Sequence, residues 1–146
     1  MANAISFLQL KRFLMKYFNW GIALLSMIVS LIFSEFLKLP PCSLCWYQRI
    51  FMYSLVFVIP TGILIQDRKL GYYTAVLSCA GGLIALYHNL IYFDFINEGF
   101  KVCTAELSCK SKQLQVLGFL SIPTMSLVAF TIILILSIRS LKNEIQ

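Results

Sequence analysis

The segment KLPPCSLC, residues 38–45, lies between two long apolar stretches and separates them. Proline disfavours helix for the residue before it and cannot donate to the helical hydrogen-bond ladder, so Pro40 and Pro41 end the first helix. Pro41 also suits the first turn of a new helix, where no backbone donor is needed. The segment therefore predicts a reversal between two helices, with Cys42 and Cys45 in the first turn of the second.

The composition predicts that these helices cross a membrane. Of the 146 residues, 60% are hydrophobic and 12% are charged, whereas a soluble domain carries roughly twice that charged fraction. Four apolar stretches approach the ~20 residues that an α-helix needs to cross hydrocarbon, and open strands would leave backbone groups unpaired in lipid. The stretches run at about 17–37, 46–65, 70–92 and 117–138. We predict an all-α fold, an integral membrane four-helix bundle with short outer loops, in one domain over residues 1–146.

The charged residues predict how the bundle is oriented. The net charge is +6, but the basic residues stand at the ends of the apolar stretches rather than in one patch, which argues against nucleic acid as a partner. Seven basic residues fall on the side of the termini and five on the other side, and basic residues favour the cytoplasmic side. We therefore expect both termini in the cytoplasm and both cysteine-bearing loops outside it, where disulfides persist.

Two cysteine pairs lie in the two outer loops. Cys42 and Cys45 form a C-x-x-C, and Cys103 and Cys109 lie in the long polar segment 93–116. The partial positive charge at the start of a helix favours the thiolate form of a cysteine there. Because thiol–disulfide exchange requires contact between sulfur atoms, two dithiols on one membrane face favour transfer of electron pairs from outer thiols to an acceptor in the lipid.

Other residues have both a functional and a structural interpretation. Arg49 follows the C-x-x-C by one helical turn, either as a cation beside the thiolate or as an arginine that reaches the interface. His88 either contacts the electron acceptor, relays a proton, or is satisfied by a neighbouring helix. Cys79 is expected to be buried as a small hydrophobe. Gly81 and Gly82 are expected to let helices approach closely.

Three motifs in order resemble the disulfide bond formation protein B (DsbB) family. CSLCWYQR at residues 42–49 is similar to its C-x-x-C-x-x-x-R signature, and YHN at 87–89 and LGFLSIP at 117–123 also resemble it. The short spacing in CTAELSC, residues 103–109, resembles the compact BdbC-like type of Gram-positive bacteria. The resemblance covers essentially the whole chain.

The resemblance implies an enzyme, a quinone-dependent protein-disulfide oxidoreductase of a bacterial cell membrane. Such a protein reoxidises an extracytoplasmic thioredoxin-fold thiol oxidase, of the DsbA or BdbD kind, and passes the electrons to ubiquinone or menaquinone. It thereby supports disulfide bond formation. Arg49 and His88 resemble the residues that hold the quinone.

The resemblance also implies the redox disulfides Cys42–Cys45 and Cys103–Cys109. Cys103 resembles the cysteine attacked by the reduced partner protein, and Cys109 resembles its mate, which then attacks Cys42. Cys45 resembles the thiolate that meets the quinone.

Two other interpretations of the cysteines stay open. All four could bind zinc, because four thiolates suit its tetrahedral geometry, or they could form permanent disulfides that brace a structural membrane protein. The expected oxidising location and the placement of Arg49 favour redox work over zinc. We therefore predict redox disulfides and no resident metal.

Overall fold

The computed structural model describes residues 2–36, 38, 42–93, 95 and 122–145. These residues form four α-helices, which are α1 Ala2–Glu35, α2 Ser43–Leu64, α3 Leu70–Tyr92 and α4 Ile122–Ile145. Within this part of the chain, the predicted all-α class is confirmed.

All four helices contain a stretch that is long and apolar enough to cross a membrane. The stretches are Phe13–Glu35, Ser43–Leu64, Leu70–Tyr92 and Pro123–Lys142. Large apolar side chains also cover the outside of the bundle, among them Leu25, Phe57, Leu83 and Val128. Such a surface suits lipid rather than water, and the chain is a multi-pass membrane protein.

The helices extend beyond the spans predicted from the sequence at several ends. α1 runs back to Ala2, well before the span predicted from residue 17. α2 begins at Ser43 and so includes the C-x-x-C turn that precedes the span predicted from residue 46. Hydropathy marks only the part of a helix that suits hydrocarbon, and a helix can continue into water. Residues 117–121 of the fourth predicted span lie outside the described residues.

Each helix packs against its neighbour along the chain, and α4 returns to pack against α1. The core between the helices contains Leu55, Ile59, Ala85, Phe130 and Ile133.

Gly81 brings α3 close to α4, the pair with the most extensive contact. A Cβ atom added at Gly81 would overlap the ring of Phe130, whereas one at Gly82 would lie 3.7 Å from Phe130 Cβ, an ordinary contact. The expected close approach is therefore confirmed at Gly81, and Gly82 contributes less to it.

The connection between α2 and α3 is a tight turn. Gln66 adopts a φ of 52°, the left-handed conformation that commonly ends a helix. The Asp67 carboxylate then accepts a hydrogen bond from the backbone N–H of Lys69 at 2.8 Å, and Leu70 packs onto Gly62. This turn makes α2 and α3 neighbours.

Candidate redox site at the start of α2

The C-x-x-C occupies the first turn of α2, where the proline pattern predicts it. Cys42 is the N-cap residue, with an extended backbone (φ −67°, ψ 165°), and its Sγ accepts a hydrogen bond from the backbone N–H of Cys45 at 3.3 Å. The Sγ atoms of Cys42 and Cys45 lie 2.7 Å apart. An N-cap acceptor satisfies one of the backbone donors that a helix start leaves free, so the fold itself brings the two sulfurs together.

The two cysteines have different surroundings. Cys42 is 7% exposed and packs with Leu44 and Ile91 in a small apolar cluster between α2 and α3. Cys45 is half-buried, at the edge of that cluster. One sulfur is therefore enclosed by helices, and the other is closer to the outside of the bundle.

His88 of α3 contacts the enclosed sulfur. Its Nε2 lies 3.7 Å from Cys42 Sγ, and its Nδ1 lies 3.1 Å from Gln48 Nε2. An amide N–H can only donate, so Nδ1 accepts from Gln48 and the ring hydrogen is on Nε2. In this tautomer His88 donates a hydrogen bond to Cys42, and with 3% of its surface exposed it is well buried.

Gln48 and Ser126 tie this histidine to a third helix. The hydroxyl of Ser126 on α4 lies 2.7 Å from Gln48 Oε1 and 2.9 Å from the carbonyl oxygen of Pro123. The side chain of Asn89 donates to the same carbonyl at 2.9 Å. A chain of polar contacts thus runs from α4 through α2 to the histidine and ends on a sulfur.

Arg49 is held on the α1 side of α2. Its Nε–H donates to the Ser30 hydroxyl at 2.9 Å, and its Nη2 donates to the Ser30 carbonyl at 2.8 Å. The guanidinium also stands over the Trp46 ring, 5.7 Å from its centroid, within the range of a cation–π contact. The Arg49 guanidinium is thus held in place by α1. An arginine that only reaches the membrane interface, one of the two interpretations of the sequence, would not need these contacts.

Hydrogen bonds favour the thiolate of Cys42, which precedes the membrane-spanning part of α2. The pKa of Cys42 is lowered, first by the hydrogen bond from the Cys45 thiol, and also by the hydrogen bond from His88. Burial of the sulfur raises the pKa and opposes these contacts, but it is outweighed. Cys42 is therefore suited to be a stable leaving thiolate.

The ligand atoms of Cys42, Cys45 and His88 all lie within 4.8 Å of one another. This set differs from the four-cysteine zinc site considered from the sequence. Cys103 and Cys109 lie outside the described residues, so their redox and partner-facing roles stay predictions.

Several contacts at this site were not found by sequence reasoning. Gln48, Ser126 and Ser30 were not assigned roles, although Gln48 is a polar residue inside an apolar span, which is a signal for function. Cys79, expected to be buried, is exposed. The expectation was wrong because lipid is as apolar as the bundle interior, so an apolar setting in the sequence does not show which way a side chain points.

The chain is similar to known disulfide formation proteins over most of its length. A family model described as "Disulfide bond formation protein DsbB" matches residues 12–139. "Probable disulfide formation protein C 2" of Bacillus anthracis is 41% identical over 126 residues, which cover 86% of this chain and 89% of that protein. "Disulfide bond formation protein C" of Bacillus subtilis (strain 168) is 36% identical over 135 residues, 92% of each chain. No solved structure matches the chain significantly.

Proposed function

The chain belongs to the DsbB family of disulfide bond formation proteins, and from this membership we propose that it is a membrane thiol–disulfide oxidoreductase. It oxidises the dithiol of an extracytoplasmic thioredoxin-fold protein and delivers the electrons to a membrane quinone. The observation that carries the proposal is the Cys42–Cys45 contact at the start of a membrane-spanning helix, with a histidine donor on the enclosed sulfur.

The outer pair collects the electrons in this proposal. The reduced partner attacks Cys103 of a Cys103–Cys109 disulfide, and its second thiolate then closes the partner's own disulfide. Two electrons and two protons pass to Cys103 and Cys109. The family membership supports these roles, since both residues lie outside the described part of the chain.

The inner pair receives these electrons by a second exchange. Cys109 attacks Cys42 of the Cys42–Cys45 disulfide, the S–S bond breaks, and Cys45 leaves as the thiolate. Cys103 then attacks Cys109, which closes the outer disulfide again and releases Cys42. A leaving thiolate of low pKa leaves faster, and the His88 N–H is placed to stabilise Cys42 at that moment.

Both ring nitrogens of His88 are engaged, with Cys42 and with Gln48. We therefore propose that it holds and moves a proton at Cys42, which is one of the roles that the sequence left open. Its predicted contact with the quinone stays a prediction.

The residues around Cys45 fit a flat, lipid-borne acceptor. Trp46 and Tyr47 are 54% and 49% exposed on the lipid-facing outside of the same helical turn, and the Arg49 cation is fixed beside Trp46. Arg49 and Trp46 would hold a quinone there, Arg49 by donating a hydrogen bond to a quinone carbonyl oxygen and Trp46 by stacking. When bound, a quinone supplies an acceptor for two electrons and two protons. The half-buried Cys45 is the sulfur that can be reached from this side.

We also propose that both termini lie in the cytoplasm and that both cysteine loops lie outside it. The distribution of basic residues and the need of disulfides for an oxidising side support this orientation. Labelling of intact cells with a membrane-impermeant maleimide, after mild reduction, tests it. Variants that keep only Cys103 or only Cys109 should be labelled in intact cells. Labelling of these cysteines only after the cells are opened would overturn it.

The electron transfer is tested with purified protein in lipid nanodiscs, a reduced thioredoxin-fold partner, and ubiquinone or menaquinone analogues in turn. Quinone absorbance and partner thiols are followed together, and one quinone should be reduced for every two partner thiols that are lost. Cys42→Ser should abolish turnover. The exposed Cys79 provides the matched control, because Cys79→Ser removes a thiol of the same protein and should leave the rate unchanged. A Cys42→Ser variant that still oxidised the partner with added quinone would contradict the proposal.

A further inference from the structure

Three metal-binding side chains converge where α2 begins and α3 ends. Cys42 and Cys45 come from the first turn of α2, and His88 comes from the outer end of α3. Their ligand atoms lie within 4.8 Å of one another, and Cys42 and His88 are buried while Cys45 is half-buried. Two thiolates and an imidazole are the donors that zinc prefers in proteins.

The distances suit a tetrahedral ion after one small movement. With Zn–S bonds of about 2.3 Å and a Zn–N bond of about 2.0 Å, ligand sulfurs lie about 3.8 Å apart and sulfur and nitrogen about 3.5 Å apart. Cys42 Sγ and His88 Nε2 are already separated by 3.7 Å. The two sulfurs lie 2.7 Å apart and must separate by about 1 Å, which rotation of the half-buried Cys45 side chain can provide.

The hydrogen-bond network behind His88 also suits a bound ion. A histidine that binds a metal through Nε2 carries its hydrogen on Nδ1 and usually donates it to an oxygen. Gln48 lies 3.1 Å from Nδ1 and presents its Oε1 there when its amide turns over. Its NH₂ group then donates to the Ser126 hydroxyl, which keeps its bond to the Pro123 carbonyl. The same network therefore satisfies His88 with or without an ion.

We propose that the reduced form of this site binds one Zn²⁺ through Cys42 Sγ, Cys45 Sγ and His88 Nε2, with the fourth position open to water or another ligand. Binding displaces the protons that the two sulfurs still carry and transfers no electrons. The Cys42–Cys45 disulfide offers no thiolate, so binding is gated by the redox state of the pair. Zinc holds the pair reduced and therefore inhibits its reoxidation. The binding itself requires only that the pair can be reduced, not the proposed transfer to quinone.

The test uses a variant whose only thiols are Cys42 and Cys45, made by Cys79→Ser, Cys103→Ser and Cys109→Ser. The protein is reduced with a phosphine, titrated with Co²⁺ without oxygen, and then with Zn²⁺. Expected are the sulfur-to-cobalt charge-transfer band and the visible bands of a tetrahedral site, saturating at one equivalent and removed by zinc. Oxidation of the pair with diamide should abolish the bands, and renewed reduction should restore them.

His88→Ala decides whether the histidine is a ligand. Its cobalt affinity should fall at least tenfold and its visible bands should change, whereas Asn19→Ala, at the opposite end of the bundle, should change neither. An equal affinity in His88→Ala, or binding by the oxidised protein, would overturn the proposal.

If His88→Ala does not fold, a second measurement tests whether His88 is a zinc ligand. X-ray absorption at the zinc edge of the protein with His88 intact should show two sulfur neighbours and an imidazole. A spectrum without imidazole would reject the site. Neither measurement contains a partner protein or a quinone, so failure here leaves the turnover assay, run with a chelator, as an independent test of the function.

Discussion

The two ends of the bundle each contain a buried polar cluster, and the clusters differ in where their hydrogen bonds lead. One cluster lies beside the C-x-x-C and is called the outer cluster, because we propose that this end faces away from the cytoplasm. In it, Gln48 and His88 are bonded on both sides, and the chain of hydrogen bonds ends on Cys42 Sγ. At the opposite cluster, Asn19 donates to Ser137 at 3.0 Å, while Asn19 Oδ1 and Ser140 Oγ have no hydrogen-bond partner among the described residues.

The opposite cluster surrounds a small cavity of about 10 Å³. Asn19, Thr74, Ser137 and Ser140 line it, and they belong to three helices. A space of this size holds about one water molecule. The hydrogen bond between Asn19 and Ser137 joins α1 to α4, so the cluster connects helices rather than reaching a reactive group.

Buried polar groups in a membrane bundle therefore have at least two uses. The outer cluster orients a proton donor toward sulfur, so we expect its variants to change reaction rates. The opposite cluster joins helices, so we expect its variants to change stability slightly and rates not at all.

His88→Ala should have the largest effect. Removing the donor at Cys42 should lower the rate of quinone reduction roughly 100-fold, the lower range for positioned acid–base groups. Ser140→Ala, in the opposite cluster, serves as the control and should keep the wild-type rate. If the rate with His88→Ala stayed within threefold of the wild-type rate, the outer cluster would not take part in the reaction.

Gly81→Ala tests the apolar layer between the two clusters. The added Cβ overlaps the Phe130 ring, and such overpacking typically costs about 1–3 kcal/mol. Gly82→Ala is the matched control, because its Cβ meets only an ordinary contact. Thermal unfolding in detergent should show a lower midpoint for Gly81→Ala alone. Equal midpoints for both variants would mean that α3 and α4 do not approach as described.

Gln48→Leu should slow quinone reduction about tenfold, the equivalent of one hydrogen bond of about 1.4 kcal/mol. Leucine has a similar size but cannot hold the His88 ring in the tautomer that donates to Cys42. The rate of alkylation of Cys42 in a variant that lacks the other cysteines provides a second measurement, and it should fall as well. If turnover slowed but the rate of Cys42 alkylation stayed the same, Gln48 would not act through Cys42, and the prediction would be wrong.

Asn19→Leu should have the smallest effect. It loses the bond to Ser137 but also removes an unpartnered oxygen, so the free energy of unfolding should change by less than about 1 kcal/mol. Turnover should stay at the wild-type rate, and unfolding in SDS titrations measures the stability. A loss of turnover as large as that of Gln48→Leu would end the distinction between the two clusters.

Much of the fold could be predicted because it depends on local properties of the chain. The prolines before Cys42 predicted the start of α2, and the length and hydropathy of each stretch predicted a membrane helix. α3 has the bounds 70–92 that hydropathy indicated. These features need no knowledge of neighbouring helices, since each helix satisfies its own backbone hydrogen bonds.

Local sequence was enough to predict the helices, their apolar character and the position of the C-x-x-C at a helix start. Helix packing was needed to show which sulfur faces His88, that Gln48 and Ser126 hold that histidine, that Ser30 holds Arg49, and that Cys79 points outward. The reason lies in the solvent. In water a polar face marks the outside of a helix, but in lipid both faces are apolar, so the rotation of each helix is set by packing.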